Sequence, residues 1–301
     1  MKIKLPMILR AKYYQFTILL TISFVAVGLL LNNVLSDALG LFLIFSAGLI
    51  HGANDIRLLQ KKYKNTQFRF FLTLIFTYIG VVVLGAILFF YLPNFGLFFF
   101  VLFSGFHFGQ QHWDSFLKQK SSSLLLKQLG YTLYGLLVFG ILFSSQIPAV
   151  DILIEQLSGV RFDAETYRIT TLVLAVVFSI LAFLLSVSTQ MYLKEILALA
   201  LLAILFSTTS LLLSFAVYFV FWHSIPSIQD QLMYLDGAIN LKTIKGYIRS
   251  SLVYWLLSLL GLIAAYFFFD VNASYFIPLF FTFLAAITFP HTVVIGMLDF
   301  D

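Results

Sequence analysis

Long apolar segments recur along almost the whole chain, and short polar stretches separate them. A helix needs about 20 mostly apolar residues to cross the hydrocarbon core of a bilayer, and about ten candidate spans can be drawn, or eight or nine if a segment is re-entrant. They cover roughly residues 16–31, 38–59, 68–91, 95–117, 124–143, 169–187, 192–208, 209–232, 247–269 and 275–298. The pattern predicts an all-α, polytopic transmembrane bundle that forms one domain over residues 1–301.

The boundary between the seventh and eighth spans is the least marked, because residues 192–232 form one long apolar stretch. We place the break near Thr208 and Thr209, where two polar residues follow each other.

Charged residues predict the orientation of these spans. They make up 10% of the chain, against roughly 25% in soluble domains. Lys and Arg concentrate in cytoplasmic loops of membrane proteins, and with ten spans nearly all of them lie on the side of the N-terminus. We therefore expect a multi-pass membrane protein with both termini in the cytoplasm. The basic residues are spread over short loops, so they do not indicate a nucleic-acid partner.

The histidines are placed unusually. There are five in the chain, and all lie within or at the end of apolar segments. An ionisable side chain at membrane depth is costly and normally marks a functional site. In the predicted topology, His51, His107, His223 and His291 each lie roughly a dozen residues into a helix that runs from outside to inside, so they are expected at similar depth. Four imidazoles in one layer could converge on one point.

Two of these histidines lie in motifs that also carry carboxylates. In HGANDIRLL, Asp55 follows His51 by four residues and shares its helix face. In FHFGQQHWD, Asp114 lies two turns beyond His107 on the same face. His112 is about 140° around the helix from His107, so both do not easily bind one metal. We interpret His112 as an interfacial residue beside Trp113.

The other two motifs contain proline. FWHSIPSIQDQL places Pro226 three residues after His223 and Asp230 two turns after it, and FPHTVVIGMLD places Pro290 directly before His291. Proline within a helix frees a backbone carbonyl and bends the helix. Taken singly, each motif also fits an ordinary helix end or bend.

Together the motifs indicate a metal site. The chain has no cysteine, so thiolate ligands are excluded and the donors must be nitrogen or oxygen. Neutral imidazole suits iron, copper, zinc and nickel. Asp55, Asp114 and Asp230 are the natural groups to balance the charge of such an ion from outside its ligands. The 36 phenylalanines and 15 tyrosines suggest an aromatic interior, suited to a long hydrocarbon dissolved in the bilayer.

At these four motifs, in this order, the sequence resembles the bacterial and archaeal Brp/Blh family of membrane β-carotene 15,15′-dioxygenases, which supply retinal to microbial rhodopsins. The resemblance implies a non-haem Fe(II) bound by His51, His107, His223 and His291, with Asp55 at the family's acidic position. It also implies O₂ as co-substrate, cleavage of β-carotene into two retinal molecules, and a retinal-binding rhodopsin as a product acceptor. Together with the predicted topology, it implies a location in the bacterial inner membrane. The chain departs from the family pattern at His112, where an aspartate is expected, so His112 is a candidate to replace that carboxylate.

Three other hypotheses remain open at this point. Membrane hydroxylases and desaturases use about eight histidines and two metals, and this chain has five. A haem-binding electron carrier would need two axial histidines. A transporter lined by His and Asp would relay ions instead of binding a metal tightly.

Overall fold

The computed structural model describes residues 7–117, 123–269 and 275–299, and all regular structure in these ranges is helical. The α-helices are α1 (Met7–Leu30), α2 (Asn33–Leu43), α3 (Asp55–Tyr63), α4 (Phe68–Tyr91), α5 (Pro93–Leu117), α6 (Leu124–Ser145), α7 (Ile147–Ser158), α8 (Ala164–Leu184), α9 (Thr189–Thr208), α10 (Leu211–Val217), α11 (Ile225–Asp236), α12 (Leu241–Phe268) and α13 (Phe276–Asp299). Two π-helical segments, π1 (Ile44–Gly48) and π2 (Tyr218–Ser224), continue α2 and α10. The prediction of an all-α membrane protein is confirmed.

Eight helices within the described ranges are long and apolar enough to cross a membrane, which is the lower end of the predicted range. They are α1, α4, α6, α8, α9, the continuous α10–π2–α11 segment, α12 and α13. The two remaining candidate spans are α5, with its polar FHFGQQHWD stretch, and the segment that begins with α2. These two carry His107 and His51. The apolar helix that begins with α2 is too short to span because it ends before the His51 motif, whereas α5 contains polar residues of the His107 motif.

The prediction of one continuous span over residues 38–59 is wrong. After π1 the helix ends in a turn over residues 51–54, and α3 starts at Asp55. Gly52 and Asn54 are weak helix formers. The Asn54 amide also has partners outside the helix, because it donates to the Tyr247 carbonyl (3.2 Å) and to the Ser251 hydroxyl on α12. These tertiary hydrogen bonds stabilise the turn.

The predicted break near Thr208 and Thr209 is confirmed, since α9 ends at Thr208 and α10 begins at Leu211. The Ser210 side chain accepts a hydrogen bond from the Leu213 amide and caps α10. The segment that follows, α10–π2–α11, is the most buried of the eight candidate spans. Of its apolar stretch 72% is buried inside the protein, against 11% for α1. It carries His223 at the centre of the bundle.

Helices α5 and α6 approach each other closely at glycines. A Cβ atom at Gly109 would overlap the backbone carbonyl of Tyr131, and one at Gly135 would overlap the carbonyl of Gly105. Backbone contacts of this kind need small residues, as is usual between membrane helices. Gly109 thus lets α6 approach the helix that carries His107.

Replacing Gly109 with alanine should therefore destabilise the folded protein by about 1–3 kcal/mol, because the backbone it meets must shift. Thermal unfolding in detergent measures the effect. Gly80→Ala is the matched control, since a Cβ there meets nothing within 4 Å. Equal melting temperatures for the two variants would contradict the close packing of α5 and α6.

Candidate metal centre

Four histidines from separate segments meet inside the bundle. His51 lies in the turn after π1, His107 in α5, His223 in π2 and His291 in α13. Each offers one ring nitrogen such that all four nitrogens lie within 4.8 Å of one another, and all four residues are buried. The convergence expected from equal depth and common direction is thus present in the fold.

The four imidazoles form a closed ring of neighbours. Centroids are 4.6 Å apart for His51 and His291, 5.0 Å for His291 and His107, 4.6 Å for His107 and His223, and 5.1 Å for His223 and His51. Each pair is close to perpendicular, with interplanar angles from 75° to 88°. The four rings thus surround one point, and one nitrogen of each lies within 4.8 Å of the others.

Irregular backbone places two of these histidines. π1 ends three residues before His51, and π2 contains His223. A π-helical turn widens the helix and re-aims a side chain, which is why such turns concentrate at functional sites. The Ser224 hydroxyl donates to the Phe219 carbonyl (2.8 Å) and so satisfies one group in the widened turn. In α13, Pro290 directly precedes His291.

Two of the histidines have a hydrogen bond on the ring nitrogen Nδ1. The Nδ1–H of His51 donates to the Gly48 carbonyl, and the Nδ1–H of His291 donates to both carboxylate oxygens of Asp55 at 2.9 and 3.0 Å. Asp55 in turn accepts a hydrogen bond from the Tyr78 hydroxyl (3.0 Å). These bonds fix the tautomer and leave Nε2 of His51 and His291 with a free lone pair, as metal-binding histidines require.

The remaining nitrogens of the cluster fit a metal ion. Nε2 of His291 and both ring nitrogens of His107 and His223 are buried without a hydrogen-bond partner among the described residues. An unsatisfied buried polar atom costs about 1–3 kcal/mol, and one ion would satisfy three of these five nitrogens, one on each ring. Ligands opposite each other at about 2.1 Å from an ion are about 4.2 Å apart, which the 4.8 Å cluster accommodates.

The three candidate carboxylates have different positions. Asp55 contacts the cluster through a hydrogen bond with His291. It does not bond to His51, which precedes it by four residues. Asp230 instead accepts hydrogen bonds from Arg10 (2.5 Å) and Gln111 (3.0 Å), so it joins α1, α5 and α11 away from the imidazoles. The side chain of Asp114 lies outside the described residues. Asp55 is therefore the candidate for which the structure gives a bond to the cluster.

His112 belongs to a separate buried network. Its Nε2–H donates to the Glu195 carboxylate (2.7 Å), and the Tyr134 hydroxyl donates to the same carboxylate (3.2 Å). The Tyr134 ring stacks on His112 at 4.8 Å. The side chain of His112 is 11% exposed and is paired with a buried acid, so it packs within the protein. Its position at the membrane interface stays a prediction. His112 lies about 140° around α5 from His107, so its side chain points away from the cluster.

The sequence pattern missed other polar residues around the cluster. The His51 carbonyl accepts hydrogen bonds from the Gln231 amide (2.8 Å) and the Tyr247 hydroxyl (3.2 Å), which hold the turn that presents His51. Glu195, a lone acid in an apolar span, was also missed as the partner of His112. A polar residue in an apolar helix is a usable signal, but its partner depends on helix packing.

An apolar cleft lies among α4, α5, α6, α7, α10 and α13. Every side chain that lines it is Phe, Leu, Ile or Val. Phe215 of the lining stacks on Phe219 (5.3 Å), whose ring contacts His51 at 5.3 Å and His223 at 5.9 Å. Phe139 of the lining stacks on Phe108 (5.6 Å), whose ring lies 4.6 Å from His223. Two stacked phenylalanine pairs thus connect the cleft to the cluster.

One wall of this cleft is α7, a short helix between the predicted spans 124–143 and 169–187. Val150, Leu153 and Ile154 face the cleft, whereas Ile152 is 54% exposed. Pro148 in the first turn of α7 suits a helix start. The sequence pattern did not reveal this apolar face, because Asp151 and Glu155 lie on the other side of the same short helix.

These features define a polytopic membrane protein with a buried four-histidine cluster beside an apolar cleft. The chain belongs to the β-carotene 15,15′-dioxygenase family, whose model matches residues 42–299. The match spans all four histidine motifs and every described helix from π1 onward. No curated protein and no solved structure matches the chain.

Proposed function

We propose that this chain cleaves the central 15,15′ double bond of β-carotene with O₂ to give two molecules of retinal, using an Fe(II) ion bound by His51, His107, His223 and His291. The observation that carries the proposal is the convergence of four buried imidazole nitrogens within 4.8 Å, in a chain of this family. Imidazole donors suit iron, and Fe(II) when bound would supply the activation of O₂.

The reaction balances without a reductant. The double bond breaks, and each of its two carbons receives one oxygen atom of O₂ as an aldehyde. The chain need therefore supply no electron-transfer partner. What it must supply is a site closed to bulk water, a fixed position for the polyene and a fixed set of imidazoles.

The residues around the cluster are suited to these tasks. Phe108 and Phe219 cover His223 and keep water from that side. The cleft can hold a hydrocarbon by burial alone, worth roughly 25 cal/mol per Å² of apolar surface. Because the cleft offers no polar contact, the position of the polyene along it would select the bond that is cut.

Asp55 has a positioning and a charge role in this proposal. Four neutral imidazoles leave the two positive charges of Fe(II) unbalanced in a low-dielectric interior, and the Asp55 carboxylate behind His291 offsets one of them. Its second partner, the Tyr78 hydroxyl, holds it in that orientation.

The cluster geometry does not favour a haem carrier. Two axial histidines would have to leave space for the macrocycle between them, whereas here four rings surround one point at centroid distances from 4.6 to 5.1 Å. Nothing on the described surface argues for a rhodopsin partner, so the proposal stops at the release of retinal. We place the protein in the bacterial inner membrane on the basis of its predicted topology.

Expression in a β-carotene-accumulating bacterium tests the proposal. We expect loss of the orange colour and the appearance of retinal. Unchanged carotene in iron-replete cells that contain the folded protein would contradict it.

A substitution in the cleft should separate substrate binding from metal binding. Leu153→Trp places a larger ring in the cleft and should lower cleavage of β-carotene at least about tenfold, because overpacking excludes the substrate. Iron content should stay at the wild-type value, since Leu153 lies on α7 and not beside the histidines.

The matched control is Ile152→Trp, one residue earlier on the exposed face of α7. It should leave cleavage close to wild type. Equal activity of the two variants in the assay would remove the cleft from the proposal.

A further inference from the structure

The outer hydrogen bonds of the four histidines are unevenly distributed. His51 and His291 each have one ring nitrogen bonded to Gly48 or Asp55. For His107 and His223, neither ring nitrogen has a partner among the residues described. A metal ion takes one nitrogen from each ring, so each of these two histidines keeps an N–H group that still needs an acceptor. Metal-bound histidines almost always have one.

Two buried acceptors on α5 lie one helical turn from His107, one on each side of it along the chain. Ser104 lies three residues before His107, and Gln110 lies three residues after it. Each is therefore about 60° around the helix from His107. They are 1% and 5% exposed. Ser104 Oγ and Gln110 Oε1 have no hydrogen-bond partner in the described part of the chain. His223 adjoins this face, since its ring centroid is 4.6 Å from that of His107.

The Ser104 hydroxyl lacks the hydrogen bond that other hydroxyls in the apolar helices make. Serine and threonine within an apolar helix usually donate to the carbonyl four residues earlier. Thr288, three residues before His291, does so with the Leu284 carbonyl (2.7 Å), and Ser251 does so with that of Tyr247 (2.8 Å). Ser104 holds the same offset from His107 but makes no such bond. Its oxygen is therefore available to another group.

We propose that Ser104 and Gln110 are positioning residues that accept, through buried water, the outer imidazole N–H groups of His107 and His223. The proposal rests on the metal site of the proposed function. A buried water needs about 2–4 polar partners, and a hydroxyl, an amide oxygen and an imidazole N–H supply three. The cluster then has two halves: His51 and His291 are fixed by direct bonds, and His107 and His223 by a hydrated polar patch.

Thr292 is excluded from this patch. Its hydroxyl is also buried and unpartnered within the described ranges. It follows His291, however, whose outer nitrogen is already bonded to Asp55. It therefore has no imidazole N–H left to accept.

Cobalt(II) titration of the metal-free, full-length protein tests the proposal. Wild type should bind one cobalt ion with a spectrum typical of nitrogen ligands. Ser104→Ala and Gln110→Met should each weaken cobalt binding about tenfold or more, the usual effect of removing an outer partner. The shape of the spectrum should persist, because the four ligands remain. Thr288→Val, the control at the matching offset from His291, should bind cobalt like wild type.

Thermal unfolding of the same metal-free proteins distinguishes positioning from packing. Removing a hydroxyl that lacks a partner should leave the melting temperature of Ser104→Ala at or above that of wild type. Unchanged cobalt affinity in both variants would overturn the inference. So would a loss of affinity accompanied by a lower melting temperature without metal. Failure of wild type to bind cobalt or iron would instead refute the metal site itself, and this inference with it.

Discussion

Alanine at any one of His51, His107, His223 or His291 should abolish cleavage of β-carotene, with a loss of at least about 100-fold in retinal formed per folded protein. Each of these rings contacts two others of the cluster, so removing one opens the ligand set and leaves a gap next to the ion. Stoichiometric iron should be lost as well. Retinal formation in membranes, normalised to protein that survives detergent extraction, measures the effect.

His112→Ala is the internal control, because it removes the one other histidine of the chain from the same α5 helix. His112 is paired with Glu195 and lies outside the cluster. We expect a lower melting temperature, since Glu195 loses one of its two partners, but iron binding and cleavage should persist. Full activity in any of the four cluster variants would remove that histidine from the proposed ligands.

Asp55→Asn should weaken iron binding about 10–100-fold and lower cleavage to a similar degree. The amide has the size of the carboxylate and can still contact His291, but it lacks the negative charge that offsets the ion. It also makes a poorer acceptor for the Nδ1–H of His291, which the carboxylate now meets at 2.9 and 3.0 Å. Iron titration of the metal-free variant is the measurement.

Asp236→Asn provides the comparison for Asp55. Its carboxylate pairs with Arg57 at 3.2 Å, and both side chains are partly exposed, so the loss is expected to stay within about 1 kcal/mol of stability. Iron affinity should not change. If Asp55→Asn bound iron as tightly as Asp236→Asn does, the charge role of Asp55 would be wrong.

The sequence allowed much of the site to be predicted because depth and direction in a membrane constrain a helix strongly. A histidine roughly a dozen residues into each of four spans of the same direction predicted one layer, and the four rings meet there. The hydrophobic pattern also gave most helices, with α4 matching its predicted bounds. These features depend on length and composition alone.

Features that depend on helix rotation or on tertiary hydrogen bonds could not be predicted in the same way. Asp230 lies two turns from His223, yet it bonds to Arg10 and Gln111, because the rotation of α11 directs it there. The turn over residues 51–54 exists through bonds from Asn54 to α12, which no local pattern contains. The partner of His112 is 83 residues away in sequence.

The most direct test of the account is metal and product analysis of protein purified without a polyhistidine tag. We predict one iron per chain, and two retinal molecules formed for each β-carotene consumed when Fe(II) and O₂ are present, with no cleavage by metal-free protein. Protein that holds no stoichiometric metal, or that cleaves the carotene equally well without iron, would contradict it.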